Sequence, residues 1–125
     1  MTVQLNHTIV ESHDKQEAAT FFADILGLPR PEAYGPFLVV HTGNDVSLDF
    51  VDAQGPVHPQ HYAFLVDEED FDQVLERITN RGLMFWADPF HRQPGHINHN
   101  DGGRGVYWAD PNGHNLEIIT RPYGG

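Results

Sequence analysis

The sequence contains one pattern of elements twice, and this repeat constrains the fold more than any other feature. In each copy a short alternating segment that includes a histidine is followed by a helical stripe ending at Gly-Leu. The two histidines, His7 and His61, lie 54 residues apart, and the dipeptides Gly27-Leu28 and Gly82-Leu83 lie 55 apart. Such a period predicts a strand-helix-strands unit that occurs twice in the chain.

The first copy opens with Val3, Leu5, His7 and Ile9 alternating with polar residues, which predicts a strand with one buried face. The next helix is predicted to be capped by Asp14, with Glu17 placed as in a capping box. Its apolar stripe consists of Ala18, Phe21, Phe22, Ile25 and Leu26. Strands are then predicted over residues 37–41 and 46–51, around a turn at 42–45.

The second copy repeats this order. A strand is predicted over residues 61–66, and Asp67 is a plausible cap for a helix with the apolar stripe Phe71, Val74, Leu75 and Ile78. Strands over 84–87, 105–109 and 115–120 complete the copy. A long polar loop, 88–103, interrupts it, and loops of this length in compact domains tend to be functional or mobile. We interpret it as a lid or pocket wall.

Composition narrows the classes of site and partner. The 125 residues suit a single domain, with module one at about 1–55 and module two at about 56–125. The absence of cysteine excludes disulfides, zinc–thiolate sites and cysteine nucleophiles, so any metal must bind to nitrogen and oxygen ligands. A net charge of −11 disfavours nucleic acid and anionic membranes. Without a long apolar run or a signal-peptide pattern at the N-terminus, a cytoplasmic location is expected.

Two histidines and one glutamate are candidate metal ligands. His7 and His61 occupy matching strands of the two copies, and Glu117 lies in mid-strand among branched apolar residues. Buried carboxylates are rare unless they are paired or bind metal. Two imidazoles and a carboxylate suit Fe(II), Mn, Zn or Ni. The alternative for His7 is that it is an ordinary core histidine bonded to a backbone carbonyl. Asp49 could be a fourth ligand or could face solvent.

The run at 103–117, which includes Asp110-Pro111-Asn112-Gly113 and Glu117, resembles the vicinal-oxygen-chelate superfamily of glyoxalases, bleomycin-resistance proteins, fosfomycin-resistance enzymes and extradiol dioxygenases. The resemblance covers nearly the whole chain. It implies an α+β fold of two βαβββ modules whose sheets curve around a cleft, and a homodimer. It also implies a divalent metal on His7, His61 and Glu117, with Asp49 at the place of an additional acidic ligand. The metal would chelate two adjacent oxygens of a small substrate.

The segment from Ile97-Asn98-His99 through Tyr107 to Glu117 also resembles the extradiol dioxygenase signature, which implies that His99 and Tyr107 line the active site and polarise substrate oxygens. The sequence departs from that group because Asp45-Val46 stands where a histidine pair is usual. His41, His96 or Asp49 would then have to supply the acid–base group. The reaction class therefore stays open between a dioxygenase and a glyoxalase-like lyase or isomerase. A rival from another class is a metal-free antibiotic-binding protein.

The remaining histidines receive simpler interpretations. His13 and His58 are expected to be exposed, and His114 is expected to be structural because it follows the Asp-Pro-Asn-Gly turn. His91 and His96 belong to the long loop, where they could line a pocket or be ordinary polar residues.

Overall fold

The computed structural model describes residues 2–122, and the chain divides into two compact units that meet in sequence between His58 and Pro59. Each unit carries one long helix and one mixed sheet, which confirms the predicted α+β class. Among the described residues, no helix combines the length and the apolar character that crossing a bilayer requires.

The first unit consists of β1 (His7–Ser12), α1 (Lys15–Leu26), β2 (Glu32–Tyr34), β3 (Phe37–His41) and β4 (Ser47–Asp52). Its sheet has the order β1-β4-β3-β2, with β1 parallel to β4 and the other pairs antiparallel. Strand β2 was not predicted, because its three residues are all exposed and lie between Pro31 and Pro36, so no alternation of apolar residues marks it.

Helix α1 begins and ends where the sequence predicts. The carboxylate of Asp14 accepts hydrogen bonds from the backbone N–H groups of Gln16 and Glu17 at 3.0 and 3.3 Å. The helix ends at Gly27, whose φ of 69° is left-handed and strains any side chain other than glycine. The buried ring of Phe22 meets the ring of Phe50 edge to face, with centroids 4.8 Å apart, so α1 packs on its sheet through the predicted stripe.

The predicted buried face of β1 is wrong. The strand begins at His7, and its buried residues are Val10 and Ser12. Val10 lies beside Phe50 in the register with β4, and Phe50 contacts α1, so the helix covers this face. All four residues of the predicted row, including His7, are exposed, and the apolar ones are Val3 at 89%, Leu5 at 68% and Ile9 at 53%. Because Ile9 and Val10 are both apolar, alternation alone does not decide which face meets the helix.

The second unit consists of β5 (His61–Leu65), α2 (Glu68–Asn80), a short 3₁₀ turn (Asn100–Gly102), β6 (Gly105–Ala109) and β7 (Asn115–Ile119). The sheet order is β5-β7-β6, with β5 parallel to β7. Asp67 caps α2 by accepting from the backbone N–H of Asp70 at 2.7 Å, and Phe71, Val74 and Ile78 are buried, as predicted.

The predicted strand over 84–87 is not formed. Trp86 alone forms a bridge to β6, exchanging two 2.9 Å backbone hydrogen bonds with Tyr107. The next backbone groups pair with the returning loop instead: Phe85 accepts from Gly95, and Ala87 donates to Gln93. The chain therefore turns back after this single bridge to β6, Trp86 also bridges to Pro94, and the long loop uses the hydrogen bonds that a strand would have made.

The strand registers give the two units equivalent positions. His7 lies opposite Ser47 in the first unit, and His61 lies opposite Asn115 in the second. Two residues further along, Asp49 lies opposite Ile9, and Glu117 lies opposite Ala63. Each unit thus places one histidine and one carboxylate at the same register positions of its parallel strand pair.

Candidate metal centre

The second unit brings His61 and Glu117 together. Their strands are parallel neighbours, and Nε2 of His61 lies 3.0 Å from Oε1 of Glu117. The Glu117 side chain is only 8% exposed, whereas that of His61 is 46% exposed. Within residues 2–122 the carboxylate is paired with this imidazole and with no lysine or arginine. The burial of Glu117 that its apolar neighbours in the sequence indicate is therefore confirmed.

The hydrogen bonding of His61 shows what the pair can hold. Its Nδ1 lies 2.9 Å from the backbone carbonyl of Asn115, and since a carbonyl only accepts, Nδ1 carries the hydrogen. In the neutral ring Nε2 then presents a lone pair to the lone pairs of Glu117. A proton or a metal cation must lie between them. An imidazole whose second nitrogen donates to a carbonyl is a typical metal ligand, so the donor set fits a divalent cation.

A cavity of about 650 Å³ opens over this pair. Its lining includes His61, Tyr107, Glu117, Pro89, Asn98 and Asn100. The ring of Tyr107 stacks on His61 with centroids 5.9 Å apart, and Tyr107 lies opposite Glu117 in the register of β6 and β7. The structure thus places Tyr107, one of the two residues implied to contact substrate, beside two of the candidate metal ligands.

His99 does not share this placement. It precedes the 3₁₀ turn, is exposed, and lies outside the cavity lining, whereas its neighbours Asn98 and Asn100 belong to it. The Asn98 amide donates to the carbonyl of Ala87 at 2.8 Å, and its side chain fills the space that a Cβ on Gly105 would need. A role for His99 in catalysis stays a prediction. Sequence reasoning missed Asn98, for which the glycine across the bridge was the available signal.

His7 and Asp49 lie together in the first unit. They line a cavity of about 380 Å³ with Val39, His41 and Ser47, among others. His7 is exposed, and its Nδ1 lies 2.7 Å from Oδ1 of Asn6. No three His, Asp or Glu side chains are grouped as metal ligands within residues 2–122. The assignment of His7 and Asp49 to the metal therefore stays a prediction.

His114 and His91 have packing roles. His114 is fully buried, and its Nδ1 accepts from the backbone N–H of Gln60 at 2.9 Å, in agreement with the structural interpretation. His91 stacks on Trp86 at 3.7 Å, and its Nε2 donates to the side-chain oxygen of Asn115 at 2.9 Å. These contacts fasten the long loop to β7.

The other histidines are exposed. They are His13, His41, His58 and His96. His58 pairs with Glu11 at 3.0 Å, and His41 lies 3.7 Å from Glu32.

The comparison with protein families settles the classification of the chain. A model of the Glyoxalase/Bleomycin resistance protein/Dioxygenase superfamily matches residues 4–118. The chain belongs to this superfamily. The resemblance that the C-terminal run showed is thereby confirmed over most of the sequence.

Named relatives within the superfamily are enzymes. Glutathione transferase FosA of Serratia marcescens is 31% identical over 124 residues, which cover 94% of this chain and 81% of that protein. The solved structure of oxidase ChaP-H1 is 64% identical, with a TM-score of 0.97 over 99% of this chain and 100% of that one. The solved structure of oxidase ChaP-H2 is 65% identical, with a TM-score of 0.97 over 100% of this chain and 98% of that one. The prediction of an enzyme of this superfamily is confirmed.

Asp88 holds the start of the long loop through its carboxylate, which accepts from the backbone N–H groups of Arg92 and Gln93 at 2.8 to 3.0 Å. Desolvation raises the pKa of Asp88, but the hydrogen bonds from Gln93, Arg92 and Phe90 outweigh it, so the pKa lies below its ordinary value of 3.8. A carboxylate with a lowered pKa stabilises the folded state above that ordinary value, and this contribution disappears as the pH falls through the folded pKa.

We therefore expect Asp88→Asn to lower the melting temperature at pH 6, with the difference from wild type shrinking towards pH 3. Thermal unfolding monitored by circular dichroism across this range measures the effect. Asp101→Asn is the matched control, because that loop carboxylate accepts no hydrogen bond within residues 2–122. A difference for Asp88→Asn that is the same at both pH values would contradict the role of the charge.

Proposed function

We propose that the chain is a metal-dependent enzyme that binds a small substrate through two adjacent oxygens at a divalent cation. The ligands are His61, Glu117 and His7, with Asp49 as an additional acidic ligand. The observation that carries the proposal is the His61–Glu117 pair, in which two lone-pair donors face each other at 3.0 Å beneath a cavity. Two imidazoles and a carboxylate suit Fe(II), Mn, Zn or Ni. When bound, such a cation supplies Lewis acidity that polarises the substrate oxygens.

The chain's own residues orient and surround the reacting groups. The Asn115 carbonyl fixes the ring orientation of His61, and the buried charge of Glu117 offsets the charge of the cation. Tyr107 lies in the same cavity, where its phenol can donate a hydrogen bond to a substrate oxygen on which negative charge develops. Pro89 and Asn98 form part of the wall that limits access of water.

Among the reaction classes, we propose an oxidation. Two relatives that are 64% and 65% identical are named as oxidases. The glutathione transferase FosA at 31% identity supports a second candidate, the addition or rearrangement of a thiol adduct, as in a glyoxalase-like lyase or isomerase. A metal-free antibiotic-binding protein is the weakest candidate, since it gives no reason for a buried carboxylate that faces an imidazole lone pair.

Metal analysis tests the site. Protein purified without chelators is expected to carry divalent metal in proportion to the number of chains, and His7→Ala and His61→Ala are expected to lose most of it. His13→Ala is the matched control, because His13 is exposed and lies outside both cavities. If both ligand variants keep as much metal as the wild type, the ligand assignment is wrong.

Substrate assays separate the reaction classes. An anaerobic preparation loaded with Fe(II) is mixed with catechols and then with oxygen, while oxygen uptake and yellow ring-opened products are followed. Turnover supports the oxidative proposal. If no catechol causes oxygen uptake, the thiol-hemiacetal of methylglyoxal is tested next. Its conversion would contradict the oxidative proposal and support a lyase or isomerase.

We also propose that the protein is a homodimer, as members of the superfamily commonly are. In support, the segment around β1 exposes the apolar side chains of Leu5, at 68%, and Ile9, at 53%, within the described part of the chain. Ile9→Asp is expected to weaken self-association at least 100-fold, because burying an unpaired charge at an interface costs several kcal/mol. Light scattering after size exclusion measures the mass. Gln16→Asp on the exposed side of α1 is the control, and a monomeric wild type would contradict the proposal.

A further inference from the structure

The lining of the cavity over His61 and Glu117 also includes an arginine that is not paired with any residue in the described part of the chain. Arg121 lines this cavity, is exposed, and has no hydrogen bond or ion pair with any residue in 2–122. An arginine in such a place is available to a ligand, because its planar guanidinium binds carboxylate and phosphate groups with two parallel hydrogen bonds.

The second arginine of the cavity is not available in this way. Nε of Arg104 lies 2.7 Å from Glu68, and Nη1 lies 2.8 Å from Asp72. Its guanidinium also covers the ring of Phe71, at 4.3 Å from the centroid. Arg104 is therefore neutralised and held by α2. Of the two arginines that line the cavity, Arg121 is therefore the one that has no ion pair within residues 2–122.

The backbone around Gly103 lies in close contact with the side chain of Arg121. A Cβ on Gly103 would lie 2.6 Å from Oγ1 of Thr120 and 2.8 Å from Cγ of Arg121, so only glycine fits there. Thr120 in turn accepts from the N–H of Arg104 at 2.8 Å and donates its own N–H to the carbonyl of Arg104 at 3.0 Å. These contacts fix the stem of Arg121 against buried Gly103, which lowers the entropy lost when the guanidinium binds a partner.

Asp101 is the remaining charged residue of the cavity, and it forms no ion pair with Arg121. Glu117 is occupied by His61 and by the divalent cation of the proposed function, which adds two positive charges close by. The potential inside the cavity would then favour an anion, in spite of the acidic chain as a whole.

We infer that Arg121 binds an anionic group of the substrate, so that the substrate class is a compound with two adjacent oxygens and a separate carboxylate or similar anion. This inference rests on the proposed function, because the metal would hold the adjacent oxygens. The cavity then recognises one molecule at two points, and Arg121 determines specificity without contacting the reacting oxygens.

Binding of three probes to the Zn²⁺-loaded protein tests the inference. Catechol offers only adjacent oxygens, whereas 2,3-dihydroxybenzoate and 3,4-dihydroxybenzoate add a carboxylate at two different distances. Calorimetry gives the affinity ratio of each acid to catechol. Comparing this ratio between wild type and variants cancels the electronic effect of the carboxylate on chelation. In Arg121→Gln we expect the ratio to fall about tenfold for at least one acid, in line with a hydrogen bond to a charged group. Catechol binding should stay within about twofold of wild type, because the neutral probe offers no charged partner to Arg121.

Three further variants sharpen the result. In Arg121→Lys the affinity ratio of acid to catechol should lie between those of Arg121→Gln and the wild type, because lysine retains the charge but not the planar guanidinium. In Asp101→Asn this affinity ratio should stay the same or rise. Arg92 is a loop arginine outside the cavity lining, so Arg92→Gln should leave the ratio unchanged. An unchanged ratio in Arg121→Gln overturns the inference alone. Failure of the wild type to bind any probe overturns the proposed chelation, and the inference with it.

Discussion

Replacing Glu117 with glutamine is expected to weaken metal binding about 100-fold or more while leaving the metal-free protein about as stable as the wild type. Glutamine has the same shape, and its NH₂ group can donate to Nε2 of His61, which lies 3.0 Å from the present carboxylate. The variant thus satisfies the imidazole without a cation. Removing a residue that only hydrogen-bonds to a metal ligand already lowers metal affinity about 10–100-fold. Removing the charge of the ligand itself should therefore lower the affinity about 100-fold or more.

Zn²⁺ titration and thermal unfolding of the metal-free proteins measure the two effects separately. The free energy of unfolding of metal-free Glu117→Gln should stay within about 1 kcal/mol of metal-free wild type, since a buried hydrogen bond replaces an ion pair. Glu11→Gln is the matched control, because that carboxylate pairs with exposed His58 in the first unit. Undiminished Zn²⁺ affinity in Glu117→Gln would exclude Glu117 as a ligand.

Phe22→Ala should cause one of the largest losses of stability among single substitutions in the first unit. The side chain is fully buried, and its ring contacts Phe50 edge to face at 4.8 Å. Truncating a buried phenylalanine removes its hydrophobic contribution and leaves a cavity, which together cost about 3–5 kcal/mol. Because the contact joins α1 to β4, the strand that carries Asp49, the loss affects the element that supports the proposed fourth ligand.

Urea unfolding at equilibrium measures this effect through the midpoint and slope. Phe90→Ala is the control, because Phe90 is 74% exposed, and a change well below 1 kcal/mol is expected there. A loss below about 1 kcal/mol in Phe22→Ala would mean that α1 does not depend on this packing.

Site residues could be predicted from the sequence where their surroundings are formed by neighbours in the same strand or loop. Glu117 stands among branched apolar residues in its own strand, so its burial could be inferred from the sequence, and the structure agrees. Tyr107 lies two residues into a strand whose bounds were predicted correctly, and it lines the cavity. The long loop was interpreted as a pocket wall, and Pro89, Asn98 and Asn100 form part of that wall.

Residues that depend on long-range pairing were not predictable. Asn98 and Arg121 reach the cavity because the loop bridges to Gly105 and because Thr120 pairs with Arg104. Neither contact leaves a periodic pattern in the sequence. The single signal is a glycine beside each of them in space, Gly105 and Gly103, where a Cβ would clash.

By itself, the sequence determined the repeated unit, the caps of both helices and the burial of Glu117, because spacing and neighbouring residue types control these features within about one turn or strand. Only the tertiary structure decided which face of β1 is buried and why residues 84–87 make isolated bridges instead of a strand. It also decided which arginine of the cavity has no ion pair within residues 2–122. A strand has two faces that can be buried, and a backbone group has several possible hydrogen-bond partners. The choice between them depends on packing with chain segments that are distant in sequence.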